Sequence, residues 1–140
     1  MAAHRTRRRV EFRDTDAAGI MHFSTFFVYM EQAEHEFLRS VGLSVLEHDE
    51  EGVLSWPRVS ASCDYRRPLR FEDEFEIETV IERLGEKSVT FLFRFLHEGQ
   101  EAAAGRLTAV CCRFPEGSPP RSIAIPPRIA DELRRYTSEA

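Results

Sequence analysis

Hydrophobic residues in the first third of the chain recur with the period of an α-helix. From about Ser24 to Val41, successive apolar positions are three or four residues apart, which predicts a long helix with one buried stripe. That stripe consists of Phe26, Met30, Ala33, Phe37 and Val41. Ser24 or Thr25 suits the start of this helix, and Gly42 suits its end. The residues from Leu43 to Gly52 predict a loop or a short second helix.

Beyond Pro57 the period changes to two, which is typical of strands that bury one face. Apolar and polar residues alternate in three runs, at about residues 58–66, 74–82 and 89–96. Short turns at Gly85-Glu86-Lys87 and Glu98-Gly99 require antiparallel neighbours. The next run, Glu101 to Phe114, is apolar on both faces, so we expect it in the centre of the sheet or at a subunit interface.

The two ends of the chain complete the pattern. Arg7 to Arg13 alternates apolar and charged residues and predicts a short strand. Ile129, Leu133 and Tyr136 predict a C-terminal helix with Pro127 near its first turn. No repeat or linker divides the chain, so we expect one α+β domain over residues 1–140, with the long helix against a curled antiparallel sheet.

Composition removes several classes of function. The net charge of −5 argues against a nucleic-acid-binding protein, because such domains are basic overall or on one face. No apolar run approaches the roughly 18 residues that span a membrane. The three cysteines lack C-x-x-C spacing and predict reduced thiols in the cytoplasm. The histidines are scattered, so we expect no metal and no cofactor. The arginines at positions 5 to 9 predict a solvated tail or a patch for phosphate-bearing ligands.

The candidate chemistry lies just before the long helix. Asp16 lies in a loop of small residues, and a helix start follows it closely. The first N–H groups of a helix have no partner and carry partial positive charge, so they can hold an oxyanion. A carboxylate beside such a site can attack a carbonyl or activate water to do so. This arrangement suggests acyl chemistry without a serine, a cysteine or a metal.

The segment Val10 to Ile20, with its Asp14-x-Asp16-x-x-Gly19-Ile20 pattern, resembles the hotdog-fold acyl-CoA thioesterases of the 4-hydroxybenzoyl-CoA thioesterase type. The resemblance continues through the long helix and Asp64 to Asp73, and returns weakly at Arg121 to Pro126. It implies a hotdog fold, in which a curled five-stranded antiparallel sheet wraps a long central helix. It also implies hydrolysis of an acyl-CoA by a homodimer or homotetramer.

The resemblance also implies roles for individual residues. Asp16 matches the catalytic carboxylate, and Phe23 matches the residue whose backbone N–H polarises the thioester carbonyl. Gly19 is expected to permit a tight approach to the helix. The two further pocket residues are expected to be His22 and Ser24. The two positions that match basic residues for the coenzyme A phosphates are Lys87 and Arg121, with Arg66 and Arg67 as candidates from composition alone.

Several alternatives stay open at this stage. Asp16 is either a nucleophile or a general base, and Asp14 either shares a proton with it or caps the loop. His22 either orients substrate or water, or only packs. A hotdog dehydratase would pair His22 with Glu31 or Glu34. A dimer that binds acyl-CoA or acyl carrier protein without turnover is the other rival. The acyl group and the thiol carrier are not determined by the residues.

Overall fold

Residues 2–137 are described by the computed structural model, and within them two antiparallel sheets and two α-helices form the fold. The predicted domain of residues 1–140 extends past these limits at both ends. The helices are α1 (Thr25–Ser40) and α2 (Pro127–Arg134). The strands are β1 (His4–Arg9), β2 (Leu46–Asp49), β3 (Gly52–Ser55), β4 (Arg58–Tyr65), β5 (Glu74–Leu84), β6 (Ser88–His97), β7 (Gln100–Val110), β8 (Cys112–Phe114) and β9 (Arg121–Ser122). Neither helix has the length and hydrophobicity needed to cross a bilayer.

The larger sheet has five strands in the order β1-β5-β6-β7-β4, and all neighbours are antiparallel. Its inner face carries the alternating aromatic residues of β6, and these pack beneath α1. The ring centroids of Phe26 and Phe95 lie 5.0 Å apart, and those of Phe37 and Phe91 lie 6.2 Å apart. The predicted stripe of α1 is therefore buried, except at Val41, which lies beyond the last turn.

Gly105 shows how closely α1 approaches the sheet. This residue of β7 lies directly under Met30, and a Cβ added to it would come within 2.5 Å of the Met30 sulfur. A larger side chain at this point would therefore force the end of the Met30 side chain to move. The other end of the helix is set by Gly42, whose φ of +78° is a left-handed conformation that ends helices.

The caps of α1 differ from the prediction. Ser24 makes no side-chain hydrogen bond to the helix backbone, and its Oγ contacts His22 instead. The Thr25 hydroxyl donates to the carbonyl of Asp14. The hydroxyls of Ser24 and Thr25 therefore bond to groups of the preceding loop and not to the free N–H groups of the first helical turn.

Three further expectations are wrong in detail. The first strand ends at Arg9, because Val10 is buried and residues Phe12–Asp14 form a 3₁₀ turn that leaves Phe12 exposed. Residues 46–55 form the β2–β3 hairpin. β3 pairs with β2 on one edge and with β8 on the other, so its backbone groups are bonded on both sides. The run from Glu101 to Phe114 is interrupted at Cys111, so that β7 lies inside the larger sheet while β8 joins the four-stranded sheet β2-β3-β8-β9.

The N-terminal arginines are neither a solvated tail nor an unpaired phosphate patch. They alternate along the edge strand β1 and face glutamates of β5 and α1. Arg5 bonds Glu76 at 2.8 Å and Glu78 at 2.6 Å, and Arg9 bonds Glu74 at 2.6 Å. A charged edge of this kind discourages pairing with another chain.

Candidate active site

The loop before α1 closes on itself around Asp16. The N–H of Asp16 donates to the carbonyl of Ile20 at 2.9 Å, and the N–H of Gly19 donates to the carbonyl of Asp16 at 3.0 Å. Gly19 has a φ of +80°, which side-chain-bearing residues rarely adopt. An added Cβ at Gly19 would meet open space, so the backbone turn requires this glycine and a tight approach to the helix does not.

Asp16 is exposed and faces a cavity of about 440 Å³. One carboxylate oxygen, Oδ1, accepts the N–H of Ala18 at 2.8 Å, which fixes the side chain. The other oxygen, Oδ2, has no hydrogen-bond partner in the described part of the chain. Beside Asp16, the cavity is lined by Ile20, Met21, Phe23, Phe26, Tyr65, Arg66, Arg67, Pro68 and Leu69. A held carboxylate with one available oxygen therefore opens onto a mainly apolar space.

Phe23 lies at the same cavity, just before α1. Its backbone N–H has no acceptor within residues 2–137, whereas its carbonyl accepts the Tyr65 hydroxyl at 2.8 Å. The Phe23 ring is 64% exposed and stacks on the His22 ring, with centroids 4.6 Å apart. Asp16 and Phe23 therefore line the same cavity.

His22 and Ser24 bind each other and do not line this cavity. The Ser24 N–H donates to His22 Nδ1 at 3.2 Å, and the Ser24 hydroxyl lies 2.8 Å from the same nitrogen. Since Nδ1 accepts, the ring proton belongs on Nε2. The structure therefore gives His22 a local packing role and leaves its Nε2–H as a donor.

The carboxylates that a dehydratase would pair with His22 are engaged elsewhere. Glu34 is buried on α1 and holds the Arg58 guanidinium through two bonds. Glu31 also lies against Arg58, at 3.5 Å. Burial raises the pKa of Glu34, against the lowering effect of Arg58. No His–Glu pair forms at the cavity among residues 2–137, and no three metal-ligating side chains cluster there or elsewhere in that range.

Asp14 is the buried counterpart of Asp16. Its Oδ2 accepts the Tyr29 hydroxyl at 2.6 Å and the N–H of Glu11 at 2.8 Å. Burial and this bond to Asp14 raise the pKa of Tyr29, so the phenol remains a donor. The partners of Asp14 and Asp16 are separate, which supports the loop-capping role of Asp14 over a shared proton. Sequence reasoning missed Tyr29, although it follows Thr25 by one helical turn.

Cysteine chemistry is not favoured at this site. Cys63 lies on β4 near Tyr65, and burial raises its pKa to about 11. Burial likewise raises the pKa of Cys111 to about 11. Both side chains are therefore thiols near neutral pH, and thiols are weak nucleophiles.

Lys87 and Arg121 lie together, but far from Asp16. The carbonyl of Lys87 accepts the N–H of Cys111, whose own carbonyl accepts the N–H of Ile123, close to Arg121. The cavity lies at the opposite end of β6, where Phe95 meets Phe26. Eight residues of strand separate Lys87 from Phe95, a distance of about 25 Å. One subunit therefore does not bring these cations to its own cavity.

The cavity role of Tyr65, at the end of β4, was missed by sequence reasoning, whereas Arg66 and Arg67 after it were candidates from composition. Tyr65 ends the alternating run and lies on the helix-facing side with Cys63, opposite Gly105 and Ala103 of β7. Arg66 bonds Glu101 at 2.8 Å, and both Arg66 and Arg67 border the cavity. The period-two pattern identified the strand, but only its pairing with β7 shows that it ends beside Phe23.

Comparison with known proteins shows the family to which the chain belongs. Residues 10–133 match the family described as the thioesterase-like superfamily. A 1,4-dihydroxy-2-naphthoyl-CoA hydrolase of Prochlorococcus marinus is 32% identical, with 79% of this chain and 83% of that protein covered. The crystal structure of a hypothetical protein from Aquifex aeolicus has a TM-score of 0.79 and 31% identity, over 93% of this chain and 98% of that chain.

A gentisyl-coenzyme A thioesterase of known structure is also similar. Its TM-score is 0.79 at 29% identity, over 93% of this chain and 99% of that chain. The family match covers the Asp14–Ile20 pattern, both sheets from β2 onward and most of α2, which confirms the resemblance drawn from the sequence. The chain therefore belongs to the thioesterase-like superfamily.

Proposed function

We propose that this protein hydrolyses an acyl-CoA thioester to a free acid and coenzyme A, with Asp16 as the nucleophile or the general base. The observation that carries the proposal is the pairing of a fixed carboxylate with an available N–H at one cavity. Asp16 keeps one oxygen without a protein partner, and Phe23 keeps its N–H. Family membership makes thioester hydrolysis the reaction that uses both.

Two routes fit this pair of groups. In the first, the Asp16 carboxylate attacks the carbonyl carbon, the thiolate leaves, and water cleaves the mixed anhydride. In the second, Asp16 takes a proton from water as that water attacks. In both, negative charge develops on the carbonyl oxygen, and the Phe23 N–H stabilises it. One such donor contributes about 3 to 4 kcal/mol to lowering the barrier.

The side chains that line the cavity favour an aromatic acyl group over an alkyl one. Phe23, Phe26 and Tyr65 supply aromatic surface, and a volume of about 440 Å³ suits a small ring system. Two relatives are named for hydroxylated aromatic acyl-CoA substrates, which supports the same class here. We therefore extend the proposal to aryl-CoA esters as preferred substrates.

For the coenzyme A end of the substrate, we propose cations from two subunits. Arg66 and Arg67 border the cavity, so they are the local cations for phosphates, while Lys87 and Arg121 serve the cavity of a neighbouring subunit. This arrangement needs at least a homodimer, and we propose a dimer or a homotetramer. The burial of α1 against the five-stranded sheet supports the wrapped helix of a single hotdog domain over residues 1–140. The free thiols Cys63, Cys111 and Cys112 support a cytoplasmic location.

The test is release of free thiol from a panel of coenzyme A esters with aromatic, short and long acyl groups. We expect turnover of the aromatic esters to exceed that of the others, and we expect the Asp16→Asn protein to lose it. No release from any ester by native protein would contradict the proposal. If binding of the esters persisted without release, the chain would be a non-catalytic acyl-CoA-binding protein.

A further inference from the structure

The segment that carries the candidate oxyanion donor is held mainly by polar bonds. Phe23 and Ser24 are exposed, and the Phe23 ring contacts only the neighbouring His22 ring among its aromatic partners. The N–H of His22 bonds the carbonyl of Asp14 at 2.8 Å, and Ser24 bonds His22. These two ties come from within the loop itself. The nearest tie to another segment is one residue earlier, where the Met21 N–H donates to the carbonyl of Leu69 at 2.7 Å.

Among the described residues 2–137, one hydrogen bond joins residues 22–24 directly to a strand of the sheet. The Tyr65 hydroxyl, at the end of β4, donates to the Phe23 carbonyl at 2.8 Å across 42 residues of sequence. The Tyr65 ring meets Phe26 edge-on, with centroids 5.0 Å apart, which aims the hydroxyl. Burial raises the pKa of Tyr65 to about 12, so the hydroxyl donates throughout the neutral range.

We infer that Tyr65 is a positioning residue, which orients the Phe23 N–H toward the thioester carbonyl by holding the Phe23 carbonyl. The inference rests on the proposed function. The C=O of Phe23 belongs to the peptide unit that follows its Cα, and the N–H belongs to the unit before it. Holding the C=O fixes the first plane and the position of the Cα, which leaves only the rotation about φ to orient the N–H. Tyr65 does not touch the reacting atoms in this role.

The bond also polarises the peptide between Phe23 and Ser24. A carbonyl that accepts a hydrogen bond makes the N–H of the same peptide a better donor. That N–H is the one that bonds His22 Nδ1. Tyr65 therefore stabilises, through this peptide, the His22 tautomer with its proton on Nε2.

The variant Tyr65→Phe removes the hydroxyl and keeps the ring. A neutral hydrogen bond of this kind is modest, so we expect kcat for thiol release to fall about three- to tenfold, with KM changed less than about twofold. The fall should be equal for an aromatic and an alkyl ester, and equal from about pH 6 to about pH 9, since the phenol does not titrate there. Tyr136→Phe, which removes a phenol beside Phe37, is the matched control.

Amide hydrogen exchange gives a readout that does not depend on turnover. In Tyr65→Phe, the N–H of Ser24 should exchange several-fold faster than in the native protein and in Tyr136→Phe. The exchange rates of the N–H groups of α1, which begins at Thr25, should be unchanged. Faster exchange together with the uniform fall in kcat would establish the positioning role. Unchanged exchange, or an unchanged kcat, would overturn it.

The pattern across esters separates this inference from its rivals. The Tyr65 ring lines the cavity in both variants, so a loss confined to aromatic esters would show that the hydroxyl acts on the acyl group, and this would overturn positioning. A large fall in melting temperature would show a structural role and would also overturn it. If native protein released no thiol at all, the proposed function would be wrong, and so would the catalytic consequence inferred for Tyr65. The exchange rate of the Ser24 N–H would still decide whether Tyr65 holds the Phe23 segment.

Discussion

The loop of residues 14–24 and the core beneath α1 lie side by side and are held by different forces. The loop is largely exposed, and it is held mainly by polar bonds, both among its own groups and to residues outside it such as Leu69 and Tyr65. The core buries aromatic side chains of α1 and β6 with almost no polar atoms. Polar groups left available can do chemistry, and close-packed apolar groups supply stability. We therefore expect some substitutions in this chain to change activity without changing stability, and others to change stability without changing activity.

Asp14 and Asp16 mark the border between the two regions. Asp14 is 7% exposed and has two donors, while Asp16 is exposed and keeps one oxygen without a protein partner. Two residues of chain therefore separate a carboxylate that stabilises from one that is available to react.

The largest effect should come from the core. Phe93→Ala removes a fully buried ring that stacks on Phe91, and we expect a loss of about 3 to 5 kcal/mol in the free energy of unfolding. Phe23→Ala removes an exposed ring, and it should change that free energy by no more than about 0.5 kcal/mol. Urea denaturation of both variants checks the pair. Equal losses would contradict the division between core and loop.

Tyr29→Phe should affect both regions at once. It removes the donor to the buried carboxylate of Asp14, so we expect a cost of about 1 to 3 kcal/mol in unfolding free energy. Turnover should also fall, because a displaced Asp14 would shift the segment that carries Phe23. The Asp14 carbonyl accepts the His22 N–H and the Thr25 hydroxyl on either side of Phe23. Denaturation and thiol release on the same preparation measure both. A variant with lowered stability and native turnover would show that the two regions are not joined at Asp14.

A smaller effect is expected at Gly19. Alanine there must adopt a left-handed conformation, at a cost of about 1 to 2 kcal/mol. Gly117→Ala, with a φ of +74° far from the cavity, should have a similar cost but native turnover. Turnover should fall only in Gly19→Ala. Equal turnover in the two variants would remove Gly19 from the active loop.

The smallest effect concerns pH and the β1–α1 contact. Burial alone would raise the pKa of Glu36. Hydrogen bonds from Thr6, His4 and Arg8 lower the pKa by a larger amount, so it lies below its usual value. A lowered pKa in the folded state stabilises above the unfolded pKa, and that contribution disappears as the pH falls below about 4.5. Melting temperatures of native and Glu36→Gln proteins should therefore converge on acidification. Parallel curves would contradict the assignment.

Much of the fold follows from periodicity in the sequence. The helical spacing located α1 within one residue at each end, because a single apolar stripe faces a single sheet. The hairpin β2–β3 escaped prediction because each strand has only four residues and β2 is largely exposed, so no clear alternation of apolar residues marks them. The break at Cys111 escaped for the opposite reason, since both faces there are apolar and give no period.

The site was predictable only where one segment contains it. Asp16 and Phe23 are seven residues apart and meet through a local turn, so a motif identifies both. Tyr65 reaches Phe23 through the pairing of β4 with β7, which the pattern of one strand does not encode. Lys87 and Arg121 match a family pattern, but about eight residues of strand separate Lys87 from the end of β6 at the cavity, so the one-dimensional match does not reveal their distance from Asp16.

The most direct test of the central claim is thiol release from an aromatic coenzyme A ester by the native, Asp16→Asn and Asp131→Asn proteins, with melting temperatures measured alongside. Asp131 is an exposed carboxylate on α2 and serves as the matched control. We predict that kcat falls roughly a hundredfold or more in Asp16→Asn, with an unchanged melting temperature, and remains native in Asp131→Asn. Native turnover in Asp16→Asn would contradict the claim.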